Sequence, residues 1–289
     1  MPSKLTHKYG LRFRKGERLK VLFQLLWNAV LYTKWRIYKC LHGIHHPVVH
    51  YYAVCWNEEK MLPFMFQHYD TFVDKFFIYD NESTDKSGEI IAANPKARKI
   101  SFKSEGFDDE VHMNIKNECW KVSRGHADWV IVCDIDEFVY VPDFSSFVDK
   151  MERNNISIPI PEGFNMCSAN FPIYQPKSAL FTAIKRGVRD EHYSKCIMFN
   201  PYRIIEMNYG PGAHESHPIG LVKYSEAPMC KLLHYKNLGI DYVLNRVEQF
   251  KARLSKTNIG KGYGEHYLYE KETIISQFYN TLENSEIVV

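Results

Sequence analysis

The stretch Trp129-Val-Ile-Val-Cys-Asp-Ile-Asp-Glu-Phe138 decides how the chain is read. Val130 to Cys133 is an unbroken apolar run, which suits a strand buried on both faces, as in a parallel sheet. Asp134 and Asp136 follow one residue apart, then Glu137. In open α/β sheets, ligands bind beyond the carboxyl ends of the strands. Carboxylates crowded there must be neutralised by protons or by a cation. Two of them on one turn can share a hard divalent ion that still has room for phosphate oxygens. Asp is also a frequent turn and N-cap residue, so the DxD alone fits a structural role equally well.

The flanking sequence repeats the pattern. Residues 48–55 read as a first strand running into Trp56-Asn-Glu-Glu59, followed by a helix with Leu62, Met65, Phe66, Tyr69 and Val73 at helical spacing. Residues 75–79 form a second strand that stops at Asp80-Asn-Glu-Ser-Thr-Asp85, where Ser83 or Thr84 can cap a helix beginning near Lys86. Residues 98–103 give a third strand and 109–124 a helix. This alternation over 48–140 predicts a parallel, doubly wound sheet. Three of its strands end in acid and amide clusters on one edge, which tips the DxD toward function. Further on, a helix over 145–153 leads to short strands at 156–160, 195–200, 204–208 and 231–235, more antiparallel in flavour. A helix over 241–254 follows, then a polar, Gly-rich and weakly helical tail from Ser255. His214 and His217 stand three apart and precede Pro218, so their loop is not the helical HExxH of metalloproteases.

The formal charge of +3 hides an asymmetry. Residues 1–46 carry ten Lys/Arg against the single acid Glu17, a head of +9, and the remainder is −6. An acidic body argues against nucleic acid as its substrate. Residues 1–18 read as disordered, and 19–41 as a helix whose low-charge centre falls short of the ~20 residues a membrane span needs. With Trp27, Trp35 and basic flanks, that helix fits an interfacial position on a membrane or a docked one on the body or a partner. His42, His45, His46 and His50, interrupted by Pro47, read as linker. Seven scattered cysteines, none in a CxxC pair, indicate reduced thiols and a cytosolic body.

CWNEE after the first strand, FFIYDNESTD after the second, KNECWK before the fourth, and ADWVIVCDIDEF together resemble the family 2-like glycosyltransferases, in their bacterial branch. GFNMCSA, SKCIMFNP, GAHESHP and LLHYK agree with it, so the resemblance spans residues 48–255. It implies a GT-A fold, with a Rossmann-like, mostly parallel sheet and a smaller mixed acceptor-side half; the basic N-terminal helix lies outside the resemblance and is appended to that fold. The expected organisation is an extension over 1–46, a domain over 47–255 (nucleotide half 48–140, acceptor half 141–255) and a tail over 256–289. The activity implied is metal-dependent, inverting transfer from a nucleoside-diphosphate sugar, most commonly UDP-linked, to a glycan or lipid-linked acceptor. Mn²⁺ or Mg²⁺ is the implied metal. The resemblance places Asn57 and Glu58 at the nucleotide, Asp80 with Asn81 near base and ribose, Lys116 or Asn117 near donor groups, and Asp134 and Asp136 at the diphosphate and metal. His234 is the expected third metal ligand, with His214 as its rival, and Lys195 is either a phosphate contact or a surface charge. For the base, Asp190, Glu191, Glu215 and Glu162 stay open. Aspartate-nucleophile phosphatases also place DxD after a buried strand, but need Thr or Val where Phe138 stands. A catalytically silent nucleotide-sugar binder is the remaining alternative.

Overall fold

The computed structural model describes residues 10–289. The disorder expected over 1–18 lies outside the described residues as far as residue 9. Strand β1 (Gly10–Arg12) leads into α1 (Arg18–Leu41), and then the predicted alternation begins. It runs β2 (Val49–Cys55), α2 (Leu62–Tyr69), β3 (Lys75–Asp80), α3 (Ser87–Ala93), β4 (Ala97–Ser101), α4 (Asp109–Glu118) and β5 (Trp129–Val132). Strands β2, β3, β4 and β5 pair in parallel, β3 beside β4 and β2 between β3 and β5. Side chains alternate as the pleat requires. Tyr51, Ala53, Trp129 and Ile131 join one core, under α2 and α3, while Tyr52, Val130 and Val132 join another with Trp120 and Phe199. Burial on both faces explains why residues 130–133 carry no polar side chain.

The second half is mixed. It comprises β6 (Glu137–Tyr140), α5 (Phe144–Arg153), β7 (Pro161–Ser168), α6 (Leu180–Ala183), β8 (Arg186–Arg189), β9 (Met198–Phe199), β10 (Ile204–Glu206), β11 (Ile219–Val222) and β12 (Cys230–Leu238). Then come α7 (Ile240–Lys251), α8 (Lys256–Lys261), α9 (Lys271–Glu283) and β13 (Glu286–Ile287). Strand β9 closes the first sheet antiparallel to β5, and a second sheet runs β13-β8-β7-β12-β6. Strands β1, β11 and β10 make a small antiparallel third sheet. A mostly parallel sheet beside a mixed one fits the GT-A type.

Several local expectations change. The strand predicted at 156–160 reduces to a single bridge from Ile158 to Tyr224, and the strand lies at β7 instead. Ser83 and Thr84 do not cap α3, whose N-terminus has no side-chain cap. The helix predicted over 109–124 is α-helical to Glu118 and a tighter 3-10 turn over Cys119–Ser123. Residues read as a weakly helical tail form the 13-residue α9, whose Ile274 and Phe278 pack on Val243 and Val247 of α7. All seven cysteines are free thiols.

Candidate active site

The chain builds β2, β3 and β4 outward to one side, then returns to place β5 on the other side of β2. Connections therefore diverge between the carboxyl ends of β2 and β5, and this divergence opens the crevice where α/β sheets bind ligands. Residues 56–59 stand on one lip and 133–137 on the other. The lip after β2 is tied to the loop after β3. Asn57, held at a left-handed φ of 50°, accepts from Thr84 N at 2.8 Å and donates to Thr84 Oγ1 at 3.2 Å. Ser83 Oγ accepts from Asn57 N and Ser87 Oγ from Glu58 N. The hydroxyls expected to cap a helix join two loops instead. Asp80 is buried, accepting from Ser83 N at 3.3 Å with Lys99 Nζ 3.7 Å away. Asn81 donates to Ser104 Oγ and Gly106 O, leaving its Oδ1 buried and without a partner among the described residues.

Around the DxD, acids and cations interlock. Lys116 Nζ donates to Asp134 Oδ1 at 2.6 Å. Buried Lys195 lies 3.8 Å from Asp134 and donates to Glu137, itself buried. Glu137 Oε2 in turn accepts from Asp134 N at 3.0 Å. Burial pushes the Asp134 carboxyl up, but Lys116 and then Lys195 outweigh it and hold it well below the usual range. Asp136 is pulled down too, its burial offset first by His234. Glu58 behaves oppositely. Burial pushes its carboxyl up to about 8, against the pull of Arg246 beside it, with Asp136 and Asp134 adding to the rise. Lys195 is thus no surface charge. Asn117 faces elsewhere, exchanging two hydrogen bonds with the backbone of Tyr209.

Strand β12 pairs antiparallel with β6 and sets His234 opposite Glu137. His234 Nε2 lies 3.4 Å from Asp136 Oδ2. Tyr193 covers His234 at 4.1 Å between ring centroids, and its hydroxyl is pushed up by burial, then by Asp190 and Asp136. Half-buried Asp190 starts the turn that carries Tyr193, accepting from His192 N at 2.9 Å. His192 stacks on His214 at 3.6 Å, and His214 Nδ1 pairs with His192 O, so His214 stands on the rim, one layer out from His234. Glu191 and Glu215 are exposed, and Glu162 pairs with Arg189 at 3.0 Å.

Arg246 of α7 is a site residue that sequence reading missed. It donates to Asn57 O at 2.8 Å and to the Glu58 carboxylate, clamping the first lip. Lys236, whose ammonium burial disfavours, also neighbours Asp136. Arg246 lies outside every motif, while Lys236 closes LLHYK but was not singled out there. The only available signal was a basic residue inside a periodic helix or strand.

Two cis ligands bonded at about 2.0–2.3 Å stand about 3 Å apart. His234 Nε2 and Asp136 Oδ2 meet that spacing, and a mixed nitrogen and oxygen donor set suits Mn²⁺. Asp134 is turned to Lys116. Among the described residues, no three His, Cys, Asp or Glu side chains converge as a metal cluster. That holds for the N-terminal histidines as well: His42 stacks on Tyr38, His46 pairs with Asp74 and His50 with Ser123.

No protein-family model matches the chain, and no curated protein matches it. Among solved structures it is similar to S. aureus TarS 1–349 in complex with UDP-GlcNAc, with a TM-score of 0.40 at 9% identity over 80% of this chain and 71% of that one. The same protein in complex with UDP gives 0.40 at 10% identity, covering 80% and 70%. A mycobacterial protein gives 0.27 at 16% identity, with 41% of each chain covered.

Proposed function

We propose that the crevice binds a nucleoside-diphosphate sugar, with a UDP-sugar as the first donor to test, and transfers the sugar with inversion to a glycan or lipid-linked acceptor. The observation that carries this reading is the meeting of Asp134, Asp136, Lys116, Lys195 and His234 at the divergence between β2 and β5. As the glycosidic bond breaks, negative charge grows on the departing diphosphate, and fixed cations there stabilise it. Lys116 and Lys195 supply two. Asp136 and His234, with Asp134 once released from Lys116, would hold a divalent ion, which adds charge neutralisation across both phosphates. Asn57 and Glu58, clamped by Arg246, face the nucleotide, with Asp80 and Asn81 behind. Asp190 takes the proton of the acceptor hydroxyl as that oxygen attacks the anomeric carbon opposite the leaving group, which inverts it. Free cysteines support a cytosolic location, and a peripheral membrane contact through residues 19–41 completes the reading.

The test is nucleotide release by the full chain across UDP-, GDP- and dTDP-sugars, with Mn²⁺, Mg²⁺ or chelator. Acceptor-dependent release that Asp136→Ala abolishes while its unfolding curve stays unchanged is the expected result. Calorimetric binding without release from any donor would leave only a nucleotide-sugar binder. Absence of both overturns the reading.

A further inference from the structure

Helix α1 has two apolar faces. One is seated on the body: Val21 packs with Ile205 and Ile219, Trp35 with Val48, Ala127 and Tyr202, and buried Asn28 donates to Tyr202 O. The other points away. Leu19, Phe23, Leu26, Val30 and Ile37 recur at three- or four-residue steps, or at seven across Thr33 and Lys34, and are all exposed, with Trp27 beside them; Phe23 is 70% and Leu26 65% exposed. At about 100° per residue this stripe lies opposite Val21, Asn28 and Trp35. Exposed Lys15, Arg18, Lys20, Lys34 and Arg36 surround it.

We infer that α1 is a docking surface for an anionic lipid bilayer, lying in the headgroup plane with Leu19, Phe23, Leu26, Trp27 and Val30 in the acyl boundary. A contiguous exposed apolar face marks an interaction site. Its basic border selects the partner. Ten Lys/Arg against one acid over residues 1–46 complement anionic headgroups. A second copy bringing the same face would bring the same positive border. A spanning mode is ruled out for α1, because no helix among the described residues is long and apolar enough to cross a membrane. Rigid docking on the body makes the contact stereospecific. Trp35 Nε1 and Lys39 Nζ both bind Asp128, at the amino end of β5, while the DxD stands at the carboxyl end. Membrane contact therefore leaves the crevice open. The inference rests on the peripheral contact proposed for residues 19–41 and names its face and lipid charge, and it stands whether or not that crevice transfers sugar.

The experiment is co-sedimentation of the full chain with phosphatidylcholine vesicles, alone and with about 30% phosphatidylglycerol. Wild type should pellet with the anionic vesicles, and F23E/L26E should bind about tenfold more weakly with an unchanged melting curve, since both side chains face solvent. Lys20→Ser/Lys34→Ser, which leaves the apolar stripe intact, should lose about as much on anionic vesicles and little on neutral ones. Wild type that ignores anionic vesicles, or F23E/L26E that binds like wild type, overturns the inference. So does a lipid-free dimer that F23E/L26E dissociates in sedimentation velocity, which would assign the face to a second copy.

Discussion

Glu58 and Asp134 stand on opposite lips of one crevice, and their surroundings drive them in opposite directions. Glu58 gains a raised carboxyl from burial, up to about 8 from 4.5. The native state then keeps a proton that the unfolded chain releases near 4.5. Stability from this group is complete below about 4.5 and is lost as pH rises through about 8. Asp134 and Asp136, both lowered from 3.8, contribute stability above that value and lose it as pH falls. Glu58→Gln should therefore flatten the alkaline side alone. Its urea midpoint should hold from pH 5 to 9 while that of wild type declines, and equal declines in both would refute the assignment. The acids were legible because they cluster at strand ends. Their partners were less so. Lys116 and Asn117 are neighbours in one motif, yet one faces Asp134 and the other Tyr209, a choice made by helix rotation that no short motif records.

At the scale of elements, strands buried on both faces were readable from continuous apolar runs, and the others were obscured by residues serving a second purpose. Strand β6 begins at Glu137, which reads as part of the acid cluster. Strand β7 carries Pro161 at its start, where proline is tolerated, and Gly163, where a Cβ would meet the Tyr193 backbone at 2.3 Å. The segment after Ser255 looked like a tail because its apolar residues are few. Its first attachment, ahead of the apolar packing of α9, is polar: Asn258 accepts from Asp109 N and donates to the Asp109 carboxylate, both at 2.9 Å, joining α8 to the start of α4. The preceding turn lies so close to Gly106 that a Cβ there would meet Arg253 O at 2.1 Å, at a φ of +69°. Two variants test this strap. Asn258→Ala leaves a buried N–H and carboxylate unpaired, and should cost about 1–3 kcal/mol in denaturant titration. Gly106→Ala combines a clash with a strained φ, and should raise cleavage by protease within 251–262 several-fold. Wild-type resistance in Gly106→Ala would show that the strap is not held at that contact.

For the whole molecule, the division into a basic head and an acidic body is visible in charge alone, but how the two join is not. Every recognisable motif begins after Pro47, so the sequence alone predicts that the body folds without the head. The structure makes that independence incomplete. Deleting 1–46 uncovers Val48, Ala127, Tyr202, Ile205 and Ile219, the apolar surface beneath Trp35 and Val21. It also strips Asp128 of Lys39 and Trp35, leaving it the Val48 N–H as a donor. Water reaching Asp128 relieves much of the electrostatic cost, so the apolar term dominates. Burying a side chain such as Trp35 or Val21 contributes about 1.5–3 kcal/mol each. The fragment 47–289 should then fold around the same crevice with about 3–6 kcal/mol less stability, an appreciable part of what a domain possesses. Its melting temperature should fall by several degrees, while calorimetric nucleotide affinity changes little, because Asp128 and Asp134 stand at opposite ends of β5. An unchanged melting temperature would mean that α1 contributes nothing to the body's stability in solution. Loss of nucleotide affinity in step with the melting temperature would mean that the two ends of β5 respond as one unit.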